Sequence, residues 1–591
     1  MDKEIYDDGS KKIPDQKELE KELSEYLSKK YGGRIKIISP LVFPKSENES
    51  SDEVQGDFSG GRELEFDMLP EELESYLKSF VVKQRDAISV LATKICTHFN
   101  RIKHTKKMKG DNGSGGVGMI KNNVLLIGPT GVGKTYLIKL IAHKLGVPFV
   151  KGDATKFSET GYVGGDVEDL VRDLLYDAKE DIQLAENGII YIDEIDKIAS
   201  SRNIIGHDVS RTGVQRALLK PMEETDVDLK VPHDPISQIQ AIEHYRKTGK
   251  REKKVVNTKN ILFIMSGAFG DLARIIKKRL QSQGIGFEAD VKSSDVDWDL
   301  LKEITVQDLI EFGFESEFVG RLPVIVVLDE LTRDDLVEIL KNPNNPIIIS
   351  KRLDFKAYGI DIKFENEALV KIADLAIAQK TGARGLVSAM ERVLIPFEKK
   401  LPSTNIKKFL VTPDVVTHPE EQLEHLLNVA DTKEFQDRFD AAVEAELREL
   451  KTYIANTADD FKNISGLELN ENRAELIANI YLENLSDINT AHTVFKQMYD
   501  KVKAQETSFL KTFDMDLSFD EDAVDKIIEE AVKTGRDAGD LAFEIVKRLE
   551  YGLNLVKDRS GIDGFVIDVA AVTDMDGYIN NLIKKYYRQQ V

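Results

Sequence analysis

Residues 123–135 read NVLLIGPTGVGKT. Val124 to Ile127 form a short apolar run of the kind that is buried as a strand, and Tyr136 to Leu145 follow with helical amphipathic spacing. Between them Gly128, Pro129, Thr130, Gly131, Val132, Gly133, Lys134 and Thr135 fit GxxxxGK[ST]. Such a loop needs glycine because it curls until its backbone N–H groups face phosphate oxygens, while the following helix adds the positive end of its dipole. The pattern predicts a site for a nucleoside triphosphate. Lys134 neutralises the outer phosphates, Thr135 offers its hydroxyl to Mg2+, and Tyr136 opens the helix.

A second apolar strand, Gly188 to Ile192, runs into Asp193-Glu194 about 60 residues downstream. An apolar run ending in two acids is common by itself. Paired with the phosphate loop it predicts hydrolysis, with Asp193 holding Mg2+ and Glu194 polarising the attacking water.

Working outward, VLLIG, FVKGDA, IIYID, ILFIMS and VIVVLD alternate with helical stretches between residues 123 and 329, which predicts an α/β fold with a parallel sheet covered by helices. Upstream, Leu73, Leu77, Val81, Ala87, Val90, Leu91 and Ile95 keep helical spacing from Met68 to about Arg101. The expected organisation is an N-terminal extension and linker over 1–65, a large ATPase domain over 66–329, a smaller helical and β domain over 330–418, a charged helical segment over 419–512, and a final unit over 513–591. IDIKFENEALVKIADLAIA from Ile360 echoes MDLSFDEDAVDKIIEEAVK from Met515, aligning Phe364 with Phe519 and Leu386 with Leu541. The last unit therefore reads as a degenerate repeat of the smaller domain, strand–helix–helix–strand in both copies. Similar amphipathic composition is the alternative.

The 591 residues carry 82 Lys and Arg against 103 Asp and Glu, a formal charge of −21, which disfavours a surface that coats nucleic acid. One cysteine, Cys96, allows neither an internal disulfide nor a four-cysteine zinc site. The opening Met1-Asp2-Lys3-Glu4 offers no apolar leader, and no run nears the length of a membrane span. A cytoplasmic protein with no membrane contact is the expectation.

Several ordered segments resemble the ClpX branch of AAA+ protein unfoldases: NVLLIGPTGVGKT, DATKFSETGYVGGDVEDLV, GIIYIDEIDKIA, DVSRTGVQRALLK, ILFIMSGAF, EFVGRLPV and KTGARGL, within about residues 66–418. The resemblance implies an AAA+ P-loop fold in which the 330–418 unit is the lid, a homo-hexamer, and protein substrates threaded through a central pore. It also implies individual roles. Arg321 matches the arginine finger that reaches a neighbouring subunit's nucleotide, and Arg384 matches the arginine by which the lid touches phosphate. Val81 and Val82 fall where the base packs, although VVKQ departs from the family's VIGQ. Ser266 falls in the neighbourhood of a polar sensor. Tyr162 and Val163, in Gly161-Tyr-Val-Gly164, match a pore loop that grips substrate, and Ser201 to Val209 match a second one. Ile285, Gly286 and Phe287 match the loop that docks a ClpP-type peptidase. This loop, and the lack of a large insertion after Asp193-Glu194, favour ClpX over the related HslU ATPases.

The departures restrict the comparison. The four-cysteine zinc domain usual in the family cannot be built here, so 1–65 is either another recognition module or an appended terminus. The stretch Thr225 to Thr258 is long and carries a basic run, Arg246 to Lys254, which is either a solvated face or a mark for acidic substrates. A protease-coupled unfoldase leads. A stand-alone remodelling chaperone is the alternative, with a nucleic-acid motor and a non-hydrolysing scaffold behind it.

Overall fold

The computed structural model describes residues 66, 68–109, 121–158, 165–199, 209–229, 255–283, 298–430, 432–513, 515–562 and 564–587. The expectations for 1–65, the loop carrying Tyr162 and Val163, the segment 201–208, the basic run and Ile285 to Phe287 fall outside them.

The five apolar runs are five parallel strands: β1 (Val124–Ile127), β2 (Phe149–Asp153), β3 (Ile189–Asp193), β6 (Leu262–Gly267) and β7 (Val324–Val327), in the order β2-β3-β6-β1-β7. A small antiparallel ribbon, β4 (Asp226–Asp228) with β5 (Val255–Asn257), stands apart. Side chains alternate across the sheet, as strand geometry requires. Val124, Leu126, Ile189, Tyr191 and Ile264 enter one core, whereas Leu125, Ile127, Ile190, Ile192 and Phe263 enter the other. Because all strands run the same way, the ends of β1, β3 and β6 share one edge, where ligands of parallel sheets bind.

The helical pattern over 68–101 is two helices, Pro70–Phe80 and Arg85–Lys109. Lys83 (φ 65°) and Gln84 (φ 47°) are left-handed between them. Distant contacts hold this turn. The Gln84 amide exchanges two 2.8 Å hydrogen bonds with the backbone of Asp329, and Lys83 Nζ donates to Glu330 O at 2.7 Å.

Beyond β7, β8 (Asp361–Phe364) pairs in parallel with β9 (Lys408–Val411), separated by helices Asn366–Ile377 and Arg384–Lys400. The same order returns as β10 (Asp516–Phe519), helices Glu521–Thr534 and Ala538–Ser560, and β11 (Gly564–Ile567). Ile362 faces Phe409 in the first pair, and Leu517 faces Phe565 in the second. Burial differs. Helix Lys433–Asn456 packs against β8 and β9, so Lys363 and Leu410 are buried there, while Ser518 and Val566 stay exposed in the second sheet. One sheet face and the β8–β9 unit share a core. A separate core runs from Leu450 to Tyr578, so the transition falls within helix Lys433–Asn456. Among the described residues, no helix is long and apolar enough to cross a membrane.

His492 lies fully buried in this second core, edge-on to Phe461, with no hydrogen-bond partner among the described residues on either ring nitrogen. Burial holds its pKa down to about 4, against a weaker opposing pull from Asp487. A histidine whose folded pKa is depressed contributes stability above its unfolded value of about 6.5, lost as pH falls towards 4. The expected loss from His492 is about 2 kcal/mol at pH 5. Urea unfolding at pH 7.5 and 5 should show a smaller acid loss for His492→Leu than for wild type. An unchanged pH dependence would contradict this account.

Candidate nucleotide site

The phosphate loop leaves β1 with Gly131 (φ 81°) and Gly133 (φ 96°) both left-handed. At Gly131 a side chain is also sterically impossible, since an added Cβ would lie 2.1 Å from Thr381 O. Gly382 (φ 60°) is the matching position across the contact, 2.9 Å from Thr130 O and Gly131 O by the same measure. These absences let the lid backbone touch the loop directly: Ala383 N–H donates to Gly131 O at 2.9 Å. Arg384 follows at once, as the first residue of its helix.

A cleft of about 410 Å³ lies between the loop and the lid. Thr130 to Tyr136, Asp193, Glu194 and Arg384 line its polar end. Val81, Val82, Leu331, Ile339, Ile347 and Val387 line an apolar part. Gly128 and Pro129 sit just behind, buried, and their carbonyls receive Lys134 Nζ at 2.6 and 2.8 Å. Burial lowers the Lys134 pKa to about 8, while Asp193 and Asp196 raise it and Arg384 lowers it further. An ammonium desolvated beside a guanidinium is short of negative charge, and a polyphosphate supplies it.

Asp193 ends β3 beside Ser266 on β6. Ser266 Oγ donates to its Oδ1 at 2.7 Å, and Lys151 Nζ lies 2.9 Å from its Oδ2. Burial alone would raise the Asp193 pKa, but the Lys151 and Ser266 hydrogen bonds outweigh it and hold the carboxyl below its usual range. Thr135 Oγ1 is 3.4 Å from Asp193 Oδ2 and 3.0 Å from the Tyr191 hydroxyl, which lies 2.6 Å from Ser266 Oγ. A hydroxyl and a carboxylate this close are the hard oxygen donors that Mg2+ takes. Glu194 is exposed and left-handed (φ 57°), turning the chain at the strand end. Ser266 is buried behind Asp193, whereas Gly267 and Ala268 face the cleft.

Arg321 is not in its own cleft. It follows helix Ser316–Gly320, pairs with Glu223, and accepts at its backbone O from Asn123 Nδ2 at 3.1 Å. Asn123 precedes β1 and the phosphate loop follows it, so the two lie at opposite sheet edges, about 16 Å apart along the strand.

Sequence reading missed Lys151, Tyr191, Asp196 and the lid residues Asn345, Pro346 and Ile347. Tyr191 and Asp196 lay within the quoted IIYID and DEIDK. For Lys151 and the lid residues no local pattern existed.

An AAA domain (Cdc48 subfamily) model matches residues 120–325. The ATP-dependent Clp protease ATP-binding subunit ClpX of Borrelia duttonii (strain Ly) is 43% identical over 350 residues, covering 59% of this chain and 78% of that protein. ClpX of Treponema denticola is 41% identical over 346 residues, covering 58% and 79%.

Gly131→Ala should weaken nucleotide binding at least about ten-fold, since the new Cβ adds left-handed strain and displaces the lid. Gly382→Ala should act in the same direction. ADP titration by calorimetry checks both, and unchanged affinity would remove the contact from the site's construction.

Proposed function

The chain belongs to the ClpX family of AAA+ ATPases, and from that premise we propose that it is an ATP-driven unfoldase, a homo-hexamer threading protein substrates through a central pore into a ClpP-type peptidase. The observation that supports this reading best is the divided site: Lys134, Glu194 and Arg384 border one cleft, while Arg321 stands at the opposite sheet edge.

In this reading the loop N–H groups and Lys134 hold the phosphates of ATP, and Val81, Val82 and Ile347 enclose the base. Thr135 and Asp193 would hold Mg2+, whose charge offsets that of the phosphates. Glu194 orients and polarises the attacking water, and Arg384 steadies the phosphates from the lid. Arg321 completes the site of the next subunit, where a guanidinium stabilises charge as the phosphate bond breaks. Turnover swings the lid against the sheet domain, and Tyr162 and Val163 carry that movement to the substrate. Ile285, Gly286 and Phe287 dock the peptidase as an exposed apolar anchor. The 513–591 unit is a degenerate lid. It carries Gly539 where the lid carries Arg384, and its Arg536 is paired with Glu544, so it takes no part in nucleotide sensing.

Glu194→Gln should bind ATP yet turn over at least about a hundred-fold slower. Arg321→Ala should also be inactive alone. Mixing the two should restore part of the activity, because the first can lend its Arg321 to the intact cleft of the second; no recovery would defeat the trans assignment. A ClpP-type peptidase should be retained by Glu194→Gln with ATP and lost when Phe287→Ala is added. Retention by neither would leave the remodelling chaperone.

A further inference from the structure

Asn344 stands where three parts of the chain meet. Its side chain is buried, donates from Nδ2 to Ser79 O at 3.0 Å, and lies 3.2 Å from the Tyr453 hydroxyl. Its Oδ1 accepts from Ile488 N at 2.8 Å. Ser79 is in the last turn of helix Pro70–Phe80, where carbonyls have no partner within the helix and the dipole is negative. Asn342 Nδ2 at 3.0 Å and the Tyr453 hydroxyl at 3.2 Å donate to the same oxygen. The Tyr481 hydroxyl donates to Pro343 O at 2.9 Å. Three helices of the C-terminal extension thus each place one donor on this junction: Lys433–Asn456 through Tyr453, Glu471–Asn484 through Tyr481, and Ile488–Phe513 through Ile488.

The junction backs onto the apolar part of the cleft. Two residues beyond Ser79, Val81 and Val82 form one wall; immediately after Asn344, Asn345, Pro346 and Ile347 form another. Asn345 fixes that second wall, accepting from Ile347 N at 2.8 Å and donating to Ile339 O at 2.6 Å. One wall belongs to the sheet domain and the other to the lid, so the pocket's width depends on how the two are held together. Asn344, Tyr453 and Tyr481 line no part of the cleft.

We infer that the C-terminal extension sets nucleotide affinity from behind the base pocket, with Tyr453, Asn344 and Tyr481 as positioning residues that hold Val81–Val82 against Asn345–Ile347. This rests on the cleft being the ATP site. A tyrosine hydroxyl is protonated at neutral pH and can donate there, and burial raises the Tyr453 pKa further, to about 12, with a smaller contribution from Asp460. The extension acts as a brace across the hinge, and loosening it widens the pocket without touching the groups that act on phosphate.

The test uses the full chain, steady-state ATP hydrolysis, and ADP binding by calorimetry. Tyr453→Phe removes a hydroxyl that donates to Ser79 O and accepts from Asn344 Nδ2, and it should raise the KM for ATP and the Kd for ADP about five-fold with kcat within two-fold. Asn344→Ala should shift both further, and the double variant should fall short of the product of the singles because they share one junction. Lys408→Ala breaks a 2.9 Å ion pair between β9 and Asp440 on the same extension helix, and it should leave Kd unchanged. Unchanged Kd in both Tyr453→Phe and Asn344→Ala, or an equal shift from Lys408→Ala, overturns the inference. Lys134→Ala separates the premise: if it binds ADP as wild type does, the cleft is not the nucleotide site and the inference falls with it.

Discussion

The seating of the lid on the phosphate loop rests on a backbone contact, the hydrogen bond from Ala383 N–H to Gly131 O. It joins the lid to the phosphate loop with no side chain between, which is why both chains need glycine where they meet. A side chain on either would separate the two backbone segments and carry Arg384, the next residue, away from the cleft that it lines. Because the contact is backbone to backbone, loop and lid cannot move independently through small side-chain rearrangements. A shift at the loop therefore reaches the lid directly through the backbone.

The sheet separates the chemistry into two edges. The carboxyl edge gathers the phosphate loop, Asp193 and Ser266, because parallel strands in register end together. The amino edge holds Arg321, and buried Asn123 organises it: its Nδ2 donates to Arg321 O, and its Oδ1 accepts from Phe263 N at 3.2 Å. One amide thus ties the arginine turn to β1 and β6. The strand that carries the phosphate loop at one end fixes the arginine at the other, and the strand length keeps them from meeting within one chain.

The parallel sheet and the phosphate loop were legible because their determinants are local: apolar runs of strand length, glycines at fixed spacing, acids at a strand end. What was illegible was set at long range. The helical spacing of apolar residues runs on through Val81 without marking a break, yet Gln84 is drawn into a left-handed turn by Asp329, 245 residues away. Lys151 reads as an ordinary strand residue until β2 is placed beside β3. Asn345 to Ile347 sit in a stretch rich in asparagine and proline that reads only as a turn, and the lid's packing brings them to the base pocket. The echo between the two units was visible as paired phenylalanines, but not the difference in burial between the two sheets, since that comes from a helix outside either unit.

That helix shows how hydrophobic and polar contacts divide the work of attaching an extension. Helix Lys433–Asn456 contributes apolar residues to both cores, which holds the two bodies on one rod without specifying how the rod lies on the lid. Orientation comes from charge. Glu446 meets Arg352 and, at 2.9 Å, the buried Lys363, while Arg438 grips Glu365 with two hydrogen bonds at 2.7 and 2.9 Å. Buried ion pairs contribute little net stability after desolvation, but a wrong register leaves charges unpaired and costs several kcal/mol. The helix therefore has one acceptable seating on β8 and β9, and that seating delivers the Tyr453 hydroxyl to Ser79 O. Among the described residues, the exposed face of the second sheet, with Ser518 and Val566, carries no such helix and no buried lysine to match. The two units thus share an order of elements and differ in what is pinned to them: helix Lys433–Asn456 covers the first, whereas Asp525 of the second holds Arg473 of helix Glu471–Asn484.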